Sequence, residues 1–223
     1  MIETWPKPDD LARAAAEAIA VRLANGLSDR GRACLVGTGG RSPGPVYDRL
    51  ARTAGIDWSA VTVTLSDERC VASDAPESNL RLLRERLLVG PASAATVTPL
   101  WPRPPEAALA ALLPFDAVLL GMGEDGHIAS LIPGDPGLAR AMDPAGSALL
   151  SDTPAGLGSP PVARVTLTLA ALLASRAIFL LIAGGSKREV IERALSGEDL
   201  PVRALLTQKR VPVRVLWTPN VER

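Results

Sequence analysis

Short apolar runs alternate with longer amphipathic stretches along the whole chain, and this alternation predicts the fold. Residues 9–27 carry apolar side chains at helical spacing and end near Asn25-Gly26, a plausible helix cap. Further helices are predicted for residues 43–54 and 78–89, and from Lys187 onward. Strands are predicted at short apolar runs, namely residues 33–36, 61–65, 117–120, 165–169, 178–182 and 213–217.

Strands that alternate with helices indicate an α/β fold. We therefore expect a three-layer α/β/α domain built around a mostly parallel, Rossmann-like sheet. A Pro/Gly/Ser-rich loop is predicted near residues 152–161, but no repeat, low-complexity tract or linker divides the chain. Residues 1–223 are expected to form a single domain.

Polar and glycine-rich clusters come directly after four of the predicted strands. They are residues 37–42, 67–69, 121–127 and 184–187. In open parallel α/β sheets, ligands bind outside the carboxyl ends of the strands. Four segments that are distant in sequence are therefore expected to meet at one cleft.

Two of these clusters have features of an anion site. Gly39-Gly40, followed by Ser42, would let the backbone approach an anion closely at the start of a helix. Lys187 follows Gly184-Gly185 at another predicted helix start, where a positive charge opposes the helix dipole unless an anion compensates it. Each feature alone also fits a ligand-free turn or a solvated lysine. Together they favour a phosphate site.

His127 is the only histidine in the chain and lies in the glycine-rich segment GMGEDGHIAS. Imidazole exchanges protons near neutral pH, which makes it the most common general base in enzymes. A lone histidine often only packs or caps. A position after a strand, in a loop rather than on an apolar helix face, favours the catalytic interpretation.

Charged residues after the second predicted strand are further candidates for ligand binding. Asp67 and Arg69 in SDERC could bind a substrate, the arginine through phosphate or carboxylate. Residues 67–69 could equally form a surface ion network. Arg164, at the start of RVTLTL, has the same two interpretations.

Composition excludes several classes of protein. The chain has 24 basic and 24 acidic side chains, which argues against a nucleic-acid binder with a broad basic surface. Its longest apolar run, residues 177–183, is far shorter than the roughly 20 residues of a membrane helix. No secretory signal is visible and no disulfide framework is indicated, so a cytoplasmic protein is expected.

Metal chemistry also lacks a sequence signal. One histidine and two separated cysteines do not make a zinc site, and no acidic cluster demands Mg²⁺. A Ser-His-Asp triad is not excluded by composition, since serines are plentiful. Direct attack by an activated water is favoured here as the simpler mechanism.

Five segments contain the most distinctive residues of the chain. They are GTGGRSP at 37–43, SDERCVASDAPESN at 66–79, FDAVLLGMGEDGHIASLIPG at 115–134, RVTLTLAALL at 164–173 and GGSKREV at 184–190. In this order they resemble the 6-phosphogluconolactonases. The resemblance spans nearly the whole chain, and DGH-x-AS-L is its most specific piece.

The resemblance implies an enzyme that hydrolyses 6-phospho-D-glucono-1,5-lactone to 6-phosphogluconate with no cofactor and no metal. The partner would be this small phosphorylated lactone, bound by a monomer or a small homo-oligomer. His127 would deprotonate a water and return the proton to the leaving ring oxygen. Residues that would hold the substrate or surround its phosphate are Asp67, Arg69, Gly39, Gly40, Ser42 and Lys187.

Three further residues fall in the matching segments. Asn79 and Arg164 are expected near the substrate, although the resemblance does not define their individual roles. Arg41 departs from the family, which usually has a serine after the paired glycines. It either adds a phosphate ligand or points outward.

Two alternatives remain open at this point. Glucosamine-6-phosphate deaminases share the GHIA segment, but they typically continue into a Phe-Asn-Glu-Pro-Gly stretch, whereas residues 130–134 here are SLIPG. A non-catalytic sugar-phosphate sensor would need an output module. The predicted first helix leads directly into the first predicted strand, which leaves no room for a helix-turn-helix unit.

Overall fold

Seven strands form one parallel sheet in the computed structural model, which describes residues 2–219. The strand order is β1-β10-β9-β6-β2-β3-β5, and all neighbouring pairs are parallel. Their bounds are β1 Ile2–Thr4, β2 Ala33–Gly37, β3 Val61–Leu65, β5 Thr96–Val97, β6 Ala117–Leu120, β9 Ile178–Ala183 and β10 Val213–Thr218.

A second, smaller sheet is antiparallel and was not predicted. It has the order β4-β8-β7, with β4 at Asp67–Arg69, β7 at Leu150–Thr153 and β8 at Arg164–Leu167. The predicted loop at residues 152–161 is therefore wrong at its first two residues, which belong to β7. Residues 67–69, expected as a polar segment after a strand, themselves form a strand because they pair with β8.

Helices flank the large sheet and confirm the α/β class. α1 and α2 pack on each other, as do α2 with α3 and α7 with α8. In the described residues the helices are α1 Pro8–Arg30, α2 Gly44–Leu50, α3 Asn79–Arg86, α4 Glu106–Ala110, α5 Leu138–Ala141, α6 Leu169–Leu173, α7 Gly185–Leu195 and α8 Pro201–Thr207.

Several predicted bounds change for local reasons. α2 ends at Leu50 rather than residue 54. Leu169 opens α6 instead of closing a strand, because the Thr168 hydroxyl caps that helix by accepting from the Ala171 amide at 3.2 Å. α7 begins two residues before Lys187, which therefore lies in its first turn.

The first helix continues past its predicted cap. α1 ends at Arg30 and is capped by Gly31, a left-handed residue (φ 66°) whose amide donates to the Leu27 carbonyl at 2.9 Å. Gly26, predicted as part of the cap, lies inside the helix and is buried. Its missing side chain makes room for the carboxylate of Asp116.

Asp116 is a fully buried carboxylate at the start of β6. It accepts hydrogen bonds from the Arg30 guanidinium at 2.5 Å and from the Cys34 amide at 2.9 Å. Burial, and next the charge of Asp116, raises the pKa of the Cys34 thiol. This carboxylate connects the end of α1 to β2 and β6, and it therefore fixes the longest helix on the sheet.

Buried apolar side chains form one continuous cluster around the large sheet. β2, β6 and most of β9 are buried residue by residue, as expected for central strands of a parallel sheet. Leu11, Ala15, Ile19 and Leu23 form the buried stripe of α1. No helix within residues 2–219 is long and apolar enough to cross a bilayer.

Replacing Gly26 with alanine should destabilise the fold. The new Cβ would lie 2.6 Å from the Asp116 Oδ1 atom, so the buried carboxylate would have to move away from Arg30 and Cys34. We expect this steric conflict to lower the free energy of unfolding, measured in urea, by about 1–3 kcal/mol. The higher helix propensity of alanine should offset roughly 1 kcal/mol of that loss.

The matched control is the same substitution in an Asp116→Ala background, where the clash is absent. There Gly26→Ala should be neutral or stabilising. A stabilising effect in the wild-type background would contradict the proposed steric conflict.

Candidate active site

The order in which the chain adds strands to the large sheet reverses between β2 and β6, and the candidate site lies at this point. From β2 the chain proceeds through β3 to β5 on one side, and from β6 through β9 to β10 on the other. Ligands of open α/β sheets bind at such a switch point. The cleft has a volume of about 440 Å³, and its lining includes Gly39, Gly40, Arg41, Ser42, Asp67, Arg69, Asn79, His127, Arg164 and Lys187.

All ten residues proposed from the sequence therefore face one cleft. The four predicted clusters meet as expected, at the carboxyl end of the sheet. The structure places these residues together, whereas their individual roles remain proposals.

His127 is held by the loop that follows β6. The Gly123 amide donates to the His127 carbonyl at 2.9 Å, and Met122 forms an isolated antiparallel bridge with Ile128. The imidazole Nδ1 lies 2.6 Å from the Oδ1 atom of Asp125. About a quarter of the His127 side chain is exposed, at 24%, so the ring is accessible from the cleft.

Asp125 determines which imidazole nitrogen is free. Its hydrogen bond to His127 lowers the pKa of this carboxyl group, so it is ionised near neutral pH and can only accept. Nδ1 must therefore donate to Asp125, which leaves the Nε2 lone pair available for a proton. Asp125 was not predicted from the sequence, although an acid two residues before the only histidine was a usable signal.

The backbone just after the histidine is strained. Ala129 lines the cleft and has a φ of 50°, a left-handed conformation that costs a non-glycine residue about 1–3 kcal/mol. The next residue, Ser130, is fully buried, and its hydroxyl donates to Asp67 Oδ2 at 2.6 Å. Ser130 thus holds the histidine loop against β4. Sequence reasoning did not select it.

Asp67 is buried and already bonded through both carboxylate oxygens. Oδ1 accepts from the Ser66 hydroxyl at 2.8 Å, and Oδ2 accepts from Ser130. Glu68 is also buried and accepts hydrogen bonds from the start of α3. The alternative of a surface ion network at residues 67–69 is therefore wrong.

Arg69 and Arg164 are cross-strand partners in the small sheet. Arg69 donates to the Glu77 carbonyl at 2.7 Å and to Asn79 Oδ1, and Arg164 donates to the Pro160 carbonyl at 2.8 Å. Each guanidinium keeps a buried Nε with no hydrogen-bond partner among residues 2–219. Burial, reinforced by Arg69, lowers the pKa of Arg164. Two adjacent cations with unused donors favour an anionic or carbonyl ligand.

Asn79 joins the glycine loop to the small sheet. Its Nδ2 donates to the Asp67 carbonyl at 2.8 Å, and its Oδ1 accepts from Arg69. A Cβ on Gly39 would lie 1.8 Å from that Oδ1 atom. Only glycine at position 39 permits this close approach, which orients Arg69 beside the loop.

The other end of the cleft carries Arg41 and Lys187. Arg41 is exposed, and Lys187 lies in the first turn of α7. Burial lowers the pKa of Lys187; Glu124 opposes this shift, whereas the charge of Arg41 adds to it. Two cations that disfavour one another at a helix start match the anion site expected from the sequence.

Clusters of metal ligands are absent from the described part of the chain. Within residues 2–219, no group of three or more His, Cys, Asp or Glu side chains is placed to hold a metal ion.

The fold and the cleft together define an α/β protein with a cation-lined cleft at the switch point of its sheet and a histidine–carboxylate pair in that cleft. The chain belongs to the family described as glucosamine-6-phosphate isomerases/6-phosphogluconolactonase, whose model matches residues 6–217.

Similar proteins agree with this membership. A 6-phosphogluconolactonase of Caulobacter vibrioides is 40% identical over 97% of this chain and 96% of its own length. A 6-phosphogluconolactonase of Pseudomonas aeruginosa is 39% identical over 98% of this chain and 94% of its own length. The crystal structure of a 6-phosphogluconolactonase from Shewanella baltica matches with a TM-score of 0.89 and 38% identity, covering 98% of this chain and 97% of that one.

The proton position on His127 can be tested directly, because the chain has a single histidine. Imidazole ¹H–¹⁵N correlation spectra at a pH where the ring is neutral should show the Nδ1–H tautomer in the wild type. Asp125→Asn replaces an obligatory acceptor with a group that can also donate, so the Nε2–H tautomer should increase.

Glu124→Gln is the matched control, since it neutralises the adjacent carboxylate and should leave the tautomer unchanged. A wild-type ring protonated mainly at Nε2 would contradict the arrangement described here.

Proposed function

We propose that this chain hydrolyses 6-phospho-D-glucono-1,5-lactone to 6-phospho-D-gluconate, a step of the pentose phosphate pathway, by general-base activation of water. The observation that carries the proposal is the Nδ1–Asp125 contact of His127, 2.6 Å long, in the same cleft as Lys187 and three arginines. The relatives of known name support the same reaction. We further propose that the chain works as one domain in the cytoplasm.

The cationic end of the cleft would hold the phosphate. Backbone amides of Gly39-Gly40, the Ser42 hydroxyl and the charges of Arg41 and Lys187 supply donors suited to a dianion. A phosphate fixed there would extend the sugar toward His127. Orienting the carbonyl in this way increases the rate, because the entropy cost of bringing water and lactone into the reactive geometry is met by binding.

The reaction itself needs one base that later acts as an acid. His127 Nε2 takes a proton from water while the water oxygen attacks the lactone carbonyl carbon, giving a tetrahedral intermediate. That intermediate collapses by breaking the bond to the ring oxygen. The imidazolium returns its proton to this oxygen, which becomes the free hydroxyl, and the new carboxylic acid ionises.

Asp125 would act as a positioning residue in both steps. It holds the ring so that Nε2 faces the cleft, and its negative charge stabilises the imidazolium that forms after the first proton transfer. Arg69 and Arg164 carry buried Nε donors without partners, which would stabilise negative charge on the carbonyl oxygen or on a hydroxyl of the sugar.

The activity is tested with freshly generated 6-phosphogluconolactone, with the spontaneous rate subtracted. We expect rapid hydrolysis, and His127→Gln should lower kcat by about 10²–10⁴-fold because the general base is lost. Glucosamine 6-phosphate serves as the competing substrate. Ammonia release without lactone hydrolysis would replace this proposal with a deaminase, and a fully active His127→Gln enzyme would remove the histidine from the mechanism.

Lys187 should control binding of the phosphate rather than the chemical step. Lys187→Met should raise KM by about 10–100-fold with little change in kcat, as expected for the loss of one charged hydrogen bond. The lowered pKa sets the sign of the pH effect: raising the pH removes the lysine proton earlier than for a free lysine, so KM should rise at alkaline pH.

Lys187→Arg is the matched control for this pH effect, since a guanidinium stays charged. It should move the alkaline rise in KM to higher pH or abolish it. An unchanged profile would show that another group causes the rise.

A further inference from the structure

A second cavity, here called the chamber, adjoins the cleft and has no role in the proposed reaction. Its volume is about 330 Å³, within the range of ligand sites. His127, Asp67 and the pair Arg69 and Arg164 line the cleft alone. The residues shared by both spaces are Gly40, Arg41, Ser42, Glu124, Leu181 and Lys187. The two spaces therefore meet at the cations and extend away from them separately.

Slightly more than half of the chamber wall is apolar, and this apolar part belongs to well-packed elements. Leu11 and Ala12 contribute from the first turns of α1, and Ile182 and Ala183 from the end of β9. Three of these four residues are buried in the core. Such a wall favours a carbon chain over a heavily hydroxylated sugar.

One polar group in the chamber has no hydrogen-bond partner in the described part of the chain. Thr218, the last residue of β10, is only 3% exposed and lines the chamber. Its Oγ1 atom has no partner among residues 2–219. A buried hydroxyl without a partner costs about 1–3 kcal/mol, so a ligand atom that bonds to it would gain affinity.

We infer that the chamber binds the carbon chain of a small organic phosphate monoester, with its phosphate at Lys187 and Arg41 and one polar atom at Thr218 Oγ1. This inference uses the phosphate site of the proposed function but not the lactone chemistry. Two cations and the adjoining glycine amides suit a dianionic phosphate better than a carboxylate. Because the phosphate position is shared, such a ligand competes with the sugar phosphate.

The test is calorimetric binding of inorganic phosphate, n-butyl phosphate and 4-hydroxybutyl phosphate to the whole chain. Each methylene that enters the chamber should tighten binding about fourfold. n-Butyl phosphate should therefore bind far more tightly than inorganic phosphate and inhibit lactone hydrolysis competitively. Equal affinities for the two probes would overturn the inference.

Two variants separate the chamber from the phosphate site. Ala183→Val narrows the chamber and should remove most of the preference for the butyl ester while preserving affinity for inorganic phosphate. Thr218→Val keeps the shape but removes the hydroxyl, and should weaken 4-hydroxybutyl phosphate about tenfold without affecting n-butyl phosphate. Thermal unfolding will show whether both variants are folded. If Ala183→Val does not fold, Ala12→Val will be used in its place to narrow the chamber.

Failure of the chamber is distinguishable from failure of the lactonase proposal. Preferential binding of n-butyl phosphate by a chain that does not open the lactone would support the chamber and refute the enzyme. Lactone hydrolysis by a chain that binds the three probes equally would support the enzyme and refute the chamber. A preference that persists unchanged in both folded variants also overturns the chamber, because the chain would then bind elsewhere.

Discussion

The buried carboxylate of Glu68 is the constraint on which the active-site half of the molecule depends. It accepts hydrogen bonds from the Ser78 hydroxyl at 2.9 Å, from the amides of Asn79 and Leu80 at 2.8 Å each, and from the Arg69 amide at 2.7 Å. A buried charge is tolerable only when its oxygens are satisfied in this way. The start of a helix supplies such donors and a favourable dipole, so β4 and α3 must lie together.

Several active-site positions follow from that attachment. Asn79, held at the start of α3, contacts Gly39 on one side and Arg69 on the other, and Arg69 then lies opposite Arg164. A second buried carboxylate, Asp67, extends the network to the histidine loop through Ser130. The donors of the cleft are therefore arranged by the protein's own hydrogen bonds before any ligand arrives, and this reduces the reorganisation that a reaction would require.

The amino-acid pattern predicted five of the seven strands of the large sheet but only β8 of the small one. Central strands such as Val61–Leu65 and Ala117–Leu120 are continuous apolar runs, and their ends located the cleft. Asp67–Arg69 is a strand only because β8 pairs with it, and no periodicity in three polar residues reveals that. Ser130 was missed for the same reason, since its importance comes from contacts rather than from residue type. Asp125 was missed although it stands two residues before the only histidine.

The two ends of the cleft differ in how firmly they are built. Around His127 the protein accepts a strained Ala129 and satisfies the buried Asp67 carboxylate through both of its oxygens. At the other end Arg41 is exposed, and Lys187 lies beside it in a half-buried site. Burial and repulsion by Arg41 lower the pKa of Lys187, while Glu124 opposes this shift. An anion relieves that repulsion whichever way its organic part extends. The same physics that would hold a sugar phosphate for the histidine therefore leaves the cations open to a different ester reaching into the chamber.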